Sequence, residues 1–112
     1  MADMMREPTY FILASLLEGP LHGYAIMKAA KELSESRVVL SAGTLYGALD
    51  RLLEEGLIAS SGEEVVKGRA RRYYRITPAG STVLKEAAEA HASAAAAVGS
   101  RVGLPAPKVR AT

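Results

Sequence analysis

One stretch of sequence decides the fold of this chain: SAGTLYGALDRLLEEG, residues 41–56. Its leucines recur at the three- and four-residue spacing that is typical of a helix with one buried face. These leucines are Leu45, Leu49, Leu52 and Leu53, and Tyr46 is predicted on the same side of the helix. Ser41 is a good N-cap residue, because its hydroxyl can accept a hydrogen bond from an otherwise unpaired N–H of the first turn. Gly56 tolerates the left-handed conformation that ends many helices, so the sequence predicts a helix from Ala42 to about Glu55.

Two helices are predicted before this one. The first opens near Pro8 and Thr9 and ends at Gly19-Pro20, because this pair stops helices. Its apolar residues are Tyr10, Leu13, Leu16 and Leu17. The second runs from about His22 to Leu33. Its apolar residues are Ile26, Met27, Ala30 and Leu33. A short extended piece, Val38-Val39-Leu40, then leads into the third helix.

Two strands are predicted after the third helix. Leu57–Ser61 and Arg71–Ile76 have the pattern of strands, and Tyr74 and Ile76 share the strand face that we expect to pack on the helices. The segment Gly62–Ala70 contains two glycines and connects the strands. The sequence therefore predicts a hairpin with a long loop at its tip.

A fourth helix is predicted to start at Thr77-Pro78, because proline is tolerated in the first turn. Several of its apolar residues keep helical spacing: Val83, Leu84, Ala87, Ala88, His91 and Ala95. Gly99 and Gly103 are expected to end it.

The predicted order is helix, helix, helix, strand, strand, helix. It indicates a mostly α fold with a small β-hairpin, the winged helix-turn-helix, followed by a C-terminal dimerisation helix. We assign residues 9–77 to the winged-helix DNA-binding domain, 78–98 to the dimerisation helix and 99–112 to a flexible basic tail.

Composition excludes several classes of protein. The chain has 112 residues, of which 49% are hydrophobic and 23% charged, as expected for one globular domain. It contains no cysteine, which excludes disulfides and thiol chemistry. Phe11–Leu17 is the longest strongly apolar stretch and is too short to span a membrane. No signal-peptide pattern surrounds it, so we expect a cytoplasmic protein without a membrane partner.

The predicted hairpin is strongly basic. Between Lys67 and Arg75 there are five basic residues and no acidic one, in a chain whose net charge is only +2. Such a hairpin fits a contact with DNA phosphates or with the minor groove. The alternative is that these charges only protect an exposed strand edge from aggregation.

The exposed side of the third helix is small near its N-terminus. It consists of Gly43, Thr44, Gly47, Asp50, Arg51 and Glu54. Small residues let the backbone approach a base edge or a phosphate, and the helix N-terminus carries partial positive charge. Thr44 and Arg51 are therefore candidates for contacts with bases. The alternative is a solvated helix face.

Catalytic residues are not evident. The adjacent pairs Glu54-Glu55 and Glu63-Glu64 point apart and are expected to be solvated. His22 fits an N-cap of the second helix, and His91 faces a dimer interface or is a lone metal ligand. With no second histidine and no cysteine nearby, we expect no metal, no cofactor and no enzymatic activity.

Five short motifs together resemble the PadR-like family of bacterial transcriptional regulators. They are GPLHGY at 19–24, GTLY at 43–46, LDRL at 49–52, EGLI at 55–58 and RYYRIT at 72–77. The resemblance implies a homodimeric repressor of a pseudo-palindromic operator, with the third helix in the major groove and the wing beside it. It also implies that a small aromatic or drug-like effector releases the DNA.

The resemblance and the charge pattern together give a set of DNA-binding residues. These are Tyr24, Lys28, Lys31, Ala42, Gly43, Thr44, Tyr46, Arg51, Lys67, Gly68, Arg69 and Arg71. Two features depart from the family. The third helix has few basic side chains, which shifts weight to the wing. The chain also has no tryptophan, whereas some drug-binding relatives stack ligands between tryptophans.

The dimer interface is expected on the fourth and first helices. Its predicted residues are Tyr10, Leu13, Val83, Leu84, Ala87, Ala88, His91 and Ala95. The alternative is that this stripe folds back on the first helix of the same chain. A winged-helix module that docks an acidic protein through its basic wing is the alternative function. A small-molecule binding protein with a secondary role on DNA is also compatible with the sequence.

Overall fold

The structure is a computed structural model that describes residues 5–105. In chain order the elements are α1 (Glu7–Ser15), β1 (Leu21–His22), α2 (Gly23–Leu33), α3 (Ala42–Glu54), β2 (Ile58–Val66), β3 (Arg69–Ile76) and α4 (Pro78–Val102). The strands form one antiparallel sheet in the order β1-β3-β2. This architecture confirms the predicted winged helix-turn-helix. Among residues 5–105, no helix is long and apolar enough to cross a membrane.

Side-chain caps fix the starts of three helices where the sequence predicted them. The Ser41 hydroxyl accepts a hydrogen bond from the Thr44 N–H at 3.2 Å, and the Thr77 hydroxyl accepts one from the Gly80 N–H at 3.1 Å. His22 caps α2, because its Nδ1 accepts from the Ala25 N–H at 3.4 Å. Each such cap contributes about 1 kcal/mol to stability.

One hydrophobic core joins the helices to the sheet. Its fully buried members come from α1, α2, α3 and the start of β2 and include Ile12, Leu13, Leu16, Ile26, Leu45, Leu49, Leu52 and Ile58. Tyr74 on β3 is buried as predicted. Leu17 and Leu33, which the sequence placed on apolar helix faces, are more than half exposed. Leu17 follows the end of α1, which stops at Ser15.

The hairpin differs from the prediction of a long loop. Both strands extend further, and a two-residue turn, Lys67-Gly68, joins β2 to β3 with φ of 51° and 77°. Two successive positive φ values are typical of the tight turns that match the twist of a hairpin. The prediction of a loop over Gly62–Ala70 was wrong because Gly62, with φ of 110°, lies inside β2. There the pairing register shifts between Ser60 and Glu63, as at a β-bulge.

The sequence did not predict β1. This two-residue strand pairs Leu21 with Tyr74 and His22 with Tyr73. Two residues are too few to show a strand periodicity, so the pairing is visible only in three dimensions. It makes the sheet three-stranded and ties the start of α2 to the wing.

The fourth helix is longer than predicted. It continues through Gly99 to Val102 and ends at Gly103, whose φ is 79°. The Leu104 N–H donates to the Gly99 carbonyl at 2.8 Å, which closes the helix end. The predicted boundary at residue 98 therefore falls inside α4. Residues 106–112 of the predicted tail lie outside the described part of the chain.

Candidate nucleic-acid interface

The exposed side of α3 has open space at its two glycines. A Cβ added at Gly43 or Gly47 would meet no atom within 4 Å outside the helix itself. Thr44 is exposed beside them, and its hydroxyl accepts a hydrogen bond from the Ser41 hydroxyl at 3.0 Å. The Thr44 hydroxyl therefore keeps its own proton for another acceptor. This part of α3 is accessible to a flat, close partner.

A cleft of about 430 Å³ lies between α3, the start of α2 and the wing. Its lining includes five of the predicted DNA-binding residues: Tyr24, Tyr46, Lys67, Arg69 and Arg71. His22, Gly23, Val66, Ala70 and Arg72 complete it. The structure thus brings together residues that are far apart in sequence, such as Tyr24 on α2 and Arg72 on β3, which are 48 positions apart.

Tyr46 forms part of this cleft rather than part of the core. The sequence placed it on the leucine side of α3, but it is 48% exposed. Its phenolic oxygen would lie 2.6 Å from a Cβ at Gly23, so glycine at that position makes room for the ring. The correction arises because Tyr46 sits at the border of the buried face, where the leucine spacing does not decide exposure.

His22 also lines this cleft, although the sequence predicted only a capping role for it. Its imidazole packs edge-to-face on Tyr73, with ring centroids 5.5 Å apart. Burial and the nearby Arg71 charge lower the pKa of His22, and the charge of Glu64 partly offsets this. A neutral ring that accepts at Nδ1 carries its proton on Nε2, so His22 offers one N–H donor. The position of His22 directly before α2, in the motif GPLHGY, was the available signal.

The basic charges of the wing are not all free. Arg72 pairs with Glu63 across the hairpin at 3.8 Å, and the Tyr73 hydroxyl donates to Glu64 at 3.4 Å. Both carboxylates are exposed, as predicted. Lys67 and Arg69 flank the turn at the tip and are exposed, and neither forms an ion pair within residues 5–105. Lys67 and Arg69 therefore leave exposed positive charge at the tip.

A second, shallower groove of about 280 Å³ lies beside α2. Lys28 and Lys31, both predicted to contact DNA, line it together with Tyr24, which is 73% exposed. Val39 is 70% exposed at its edge. Tyr24 belongs to both grooves, so the basic surface continues from the wing along α2.

Arg51 lies apart from this surface. Its guanidinium donates to the Thr9 hydroxyl at 2.8 Å and pairs with Glu55 at 3.5 Å. Arg51 therefore ties α3 to α1 and is a poor candidate for a contact with DNA.

The residues predicted for the dimer interface divide into two groups. Leu13, Leu84 and Ala87 are buried within the chain itself and are not available to a partner. The remaining ones are half-buried or exposed: Tyr10, Val83, Ala88, His91 and Ala95. Tyr10 and His91 pack edge-to-face with ring centroids 4.9 Å apart, which joins α1 to α4. Part of the stripe therefore folds back on the first helix, as the alternative stated.

The fold and this surface define a winged helix-turn-helix protein. Residues 12–86 match the Transcriptional regulator PadR-like family, and the chain belongs to that family. Its members are transcriptional regulators and not enzymes. Within residues 5–105, no group of three His, Cys, Asp or Glu side chains could hold a metal ion.

Relatives and solved structures agree with this assignment. The chain is 44% identical over 75 residues to the transcriptional regulator Rv3488 of Mycobacterium tuberculosis, which covers 67% of this chain and 66% of Rv3488. It spans 22% of an uncharacterised transposon protein of Streptomyces fradiae, to which it is 45% identical over 83 residues. The chain thus spans less than two thirds of the length of each of these two relatives.

Two solved structures show the same fold with more than a quarter of the residues identical. A transcriptional regulator from Clostridium thermocellum aligns with a TM-score of 0.69 and 32% identity, covering 82% of this chain and 89% of that one. PadR of Bacillus subtilis in complex with operator DNA aligns with a TM-score of 0.64 and 27% identity, covering 72% of this chain and 46% of PadR.

Proposed function

We propose that this chain is a homodimeric repressor that binds a pseudo-palindromic operator, with α3 in the major groove and the wing on the flanking minor groove or backbone. The single observation that carries the proposal is the basic cleft between α3, the start of α2 and the wing. A winged-helix protein with α3 in the major groove needs a positively charged passage at this place for the sugar-phosphate backbone. The likeness to PadR bound to operator DNA supports the same docking.

The phosphate contacts in this proposal come from the wing and α2. Arg71 lines the cleft, Lys67 and Arg69 extend from the tip, and Lys28 and Lys31 lie along α2. Each neutralised phosphate releases a condensed counterion, so affinity falls steeply as salt rises. Ala42 and Gly43 bring the N-terminus of α3 close to the backbone, where its partial positive charge favours a phosphate.

Base contacts in this proposal come chiefly from Thr44. Its hydroxyl is exposed, and its methyl group can touch a thymine methyl. Gly43 and Gly47 leave open space on the same side of α3, which favours a close approach to the groove floor. Tyr46 borders the cleft and is a second candidate.

The proposed dimer uses the end of α4. Val98 and Val102 are 61% and 63% exposed, and they continue the helical spacing of His91 and Ala95. A second copy would cover this stripe. Two-fold symmetry then places two half-sites about 10 base pairs apart. On the family resemblance alone, we propose that a small aromatic or drug-like effector lowers the affinity for DNA.

The test is fluorescence anisotropy of the purified chain on the duplex upstream of its own gene. Titrations at several salt concentrations, with an unrelated duplex as competitor, separate specific from electrostatic binding. The proposal expects tight binding that survives the competitor and two chains per duplex. No binding to either duplex at low salt would contradict it and favour a module that docks an acidic protein through its wing.

A further inference from the structure

The exposed side of α3 carries one charged residue amid its glycines. Because Leu45, Leu49 and Leu52 face the core, Gly43, Gly47 and Asp50 lie on the opposite side of the helix. Spacings of four and three residues place these three in one stripe. Asp50 is thus the first side chain that projects beyond the flat surface made by the two glycines.

Asp50 has no ion-pair partner among residues 5–105. Arg51, which follows Asp50 in α3, pairs with Glu55, and Arg72 on β3 pairs with Glu63. Asp50 is therefore an exposed carboxylate without an ion pair among these residues, on the side of α3 that the proposed function places in the major groove.

A carboxylate at this place has two opposite effects on DNA binding. Phosphates repel it, which lowers the affinity for every duplex. In the major groove, guanine offers two acceptors and thymine offers one, and both repel a carboxylate as well. Adenine offers its N6 amino group as a donor, but the N7 acceptor beside it repels a carboxylate. Cytosine offers its N4 amino group as a donor with no acceptor beside it, so aspartate is a suitable acceptor for cytosine. Asp50 therefore favours one base while it weakens non-specific binding.

We infer that Asp50 is a specificity-determining residue that accepts a hydrogen bond from the N4 amino group of a cytosine in each half-site. The inference rests on the proposed function, since it needs α3 in the major groove. The shortage of basic side chains on α3 is compatible with this contact. An acidic side chain can bind a base edge, whereas a phosphate contact needs a basic one.

The experiment selects bound duplexes from a library with a randomised core. The wild-type protein, Asp50→Ala and Asp50→Asn are compared, with Glu54→Ala as matched control. Glu54 is exposed on the same stripe one turn further along, so its removal changes the charge equally. Far-ultraviolet circular dichroism of each variant checks that the helix content of the chain is unchanged.

The wild type is expected to select one cytosine at a symmetric position of both half-sites. Asp50→Ala should lose only that preference and bind unrelated duplexes more tightly. Replacing the two cytosines by thymine should weaken the wild type by about tenfold or more and Asp50→Ala by less than about twofold. Asp50→Asn should shift the preference towards adenine, which asparagine contacts through N6 and N7. Glu54→Ala should retain the cytosine.

The experiment distinguishes failure of the inference about Asp50 from failure of the proposed function. If the wild type selects a sequence and Asp50→Ala selects the same sequence with the same cytosine, the role of Asp50 is overturned and the proposed function stands. If the wild type selects no sequence at all, the proposed function is overturned and the inference with it.

Discussion

The phenolic oxygen of Tyr46 lies directly over Gly23, at 2.6 Å from the place of a Cβ at that position. This contact joins α3 to the start of α2 inside the basic cleft. Glycine is the only amino acid without a Cβ, so the position of the Tyr46 ring depends on glycine at position 23. The two residues belong to the motifs GPLHGY and GTLY, which are 19 residues apart in sequence.

Gly23→Ala should therefore displace Tyr46 and weaken DNA binding. The ring is half exposed and can turn away, so we expect the free energy of unfolding to fall by only about 1 kcal/mol. We expect the relative loss in DNA-binding affinity to be larger than the relative loss in stability. The measurement is a double-mutant cycle with Tyr46→Phe, in which urea unfolding and anisotropy are followed. Removing the hydroxyl should recover part of the stability of Gly23→Ala. Additive effects of the two substitutions would show that the contact does not couple α2 to α3.

Arg69→Ala and Arg51→Ala remove the same charge from two different places. Arg69 lies at the wing tip, whereas Arg51 is held by Thr9 and Glu55. We expect Arg69→Ala to reduce the slope of log affinity against log salt by about one, with similar losses on all duplexes. Arg51→Ala should leave that slope unchanged and cost at most about 1 kcal/mol of stability, because its ion pair is exposed. An unchanged slope for Arg69→Ala would remove that residue from the DNA surface.

Two glycines of α4 should respond to alanine with opposite signs. A Cβ at Gly80 would overlap the backbone carbonyl of Leu57. This carbonyl cannot move away unless the segment between α3 and β2 shifts away from the start of α4. A Cβ at Gly99 meets only the Leu104 Cβ at 3.6 Å, an ordinary contact. Thermal unfolding should show Gly80→Ala destabilised by about 1–3 kcal/mol and Gly99→Ala stabilised by about 0.5–1 kcal/mol. A Gly80→Ala protein as stable as the wild type would contradict the close approach.

His22 should make stability depend on pH. Burial and Arg71 lower its pKa in the folded chain below the usual 6.5, so the unfolded chain binds more protons as the pH falls through that range. Stability should therefore be complete above about pH 7 and decline as the pH falls below about 6.5. Protonation of Nδ1 also removes the acceptor that caps α2.

The variant His22→Asn retains a capping acceptor without a titrating ring. Its stability, measured by urea unfolding at about pH 5.5 and about pH 7.5, should change less between the two values than that of the wild type. The matched control is His91→Gln, which removes the other histidine and should preserve the contribution of His22. A wild-type dependence that survives in His22→Asn would assign it to another group.

The sequence predicted the helices where periodicity and caps agreed. Ser41, Thr77 and Gly56 bounded elements correctly because capping depends on the backbone of a few neighbouring residues. It did not predict β1, since two residues pair with β3 only through the tertiary fold. The prediction of a long loop at the tip of the hairpin was also wrong. Gly62 fits both a loop and a bulge, and only pairing across the sheet distinguishes them.

The site residues were predicted unevenly for a related reason. Charge and motif grouped Lys67, Arg69 and Arg71 in one candidate surface, and the structure places all three in the lining of one cleft. Arg51 was predicted on the exposed side of α3, but the sequence could not show that it would donate a hydrogen bond to Thr9, 42 residues earlier. Leu84 kept a helical spacing that fits a dimer interface and a core equally well, and it belongs to the core.

The last prediction concerns the proposed dimer. Leu84→Asp cannot test it, because a charge in the core would unfold the chain. Val98 and Val102 are exposed on the stripe that continues from His91 and Ala95, so a charge there leaves the fold of the protomer intact. The double variant Val98→Asp/Val102→Asp should sediment at the 11.8 kDa of one chain, whereas the wild type should sediment at twice that mass. Ala96→Asp/Ser100→Asp places the same charges on the opposite side of α4 and should remain dimeric. If both double variants stay dimeric, the interface lies elsewhere on the chain, and a monomeric wild type would contradict the homodimer itself.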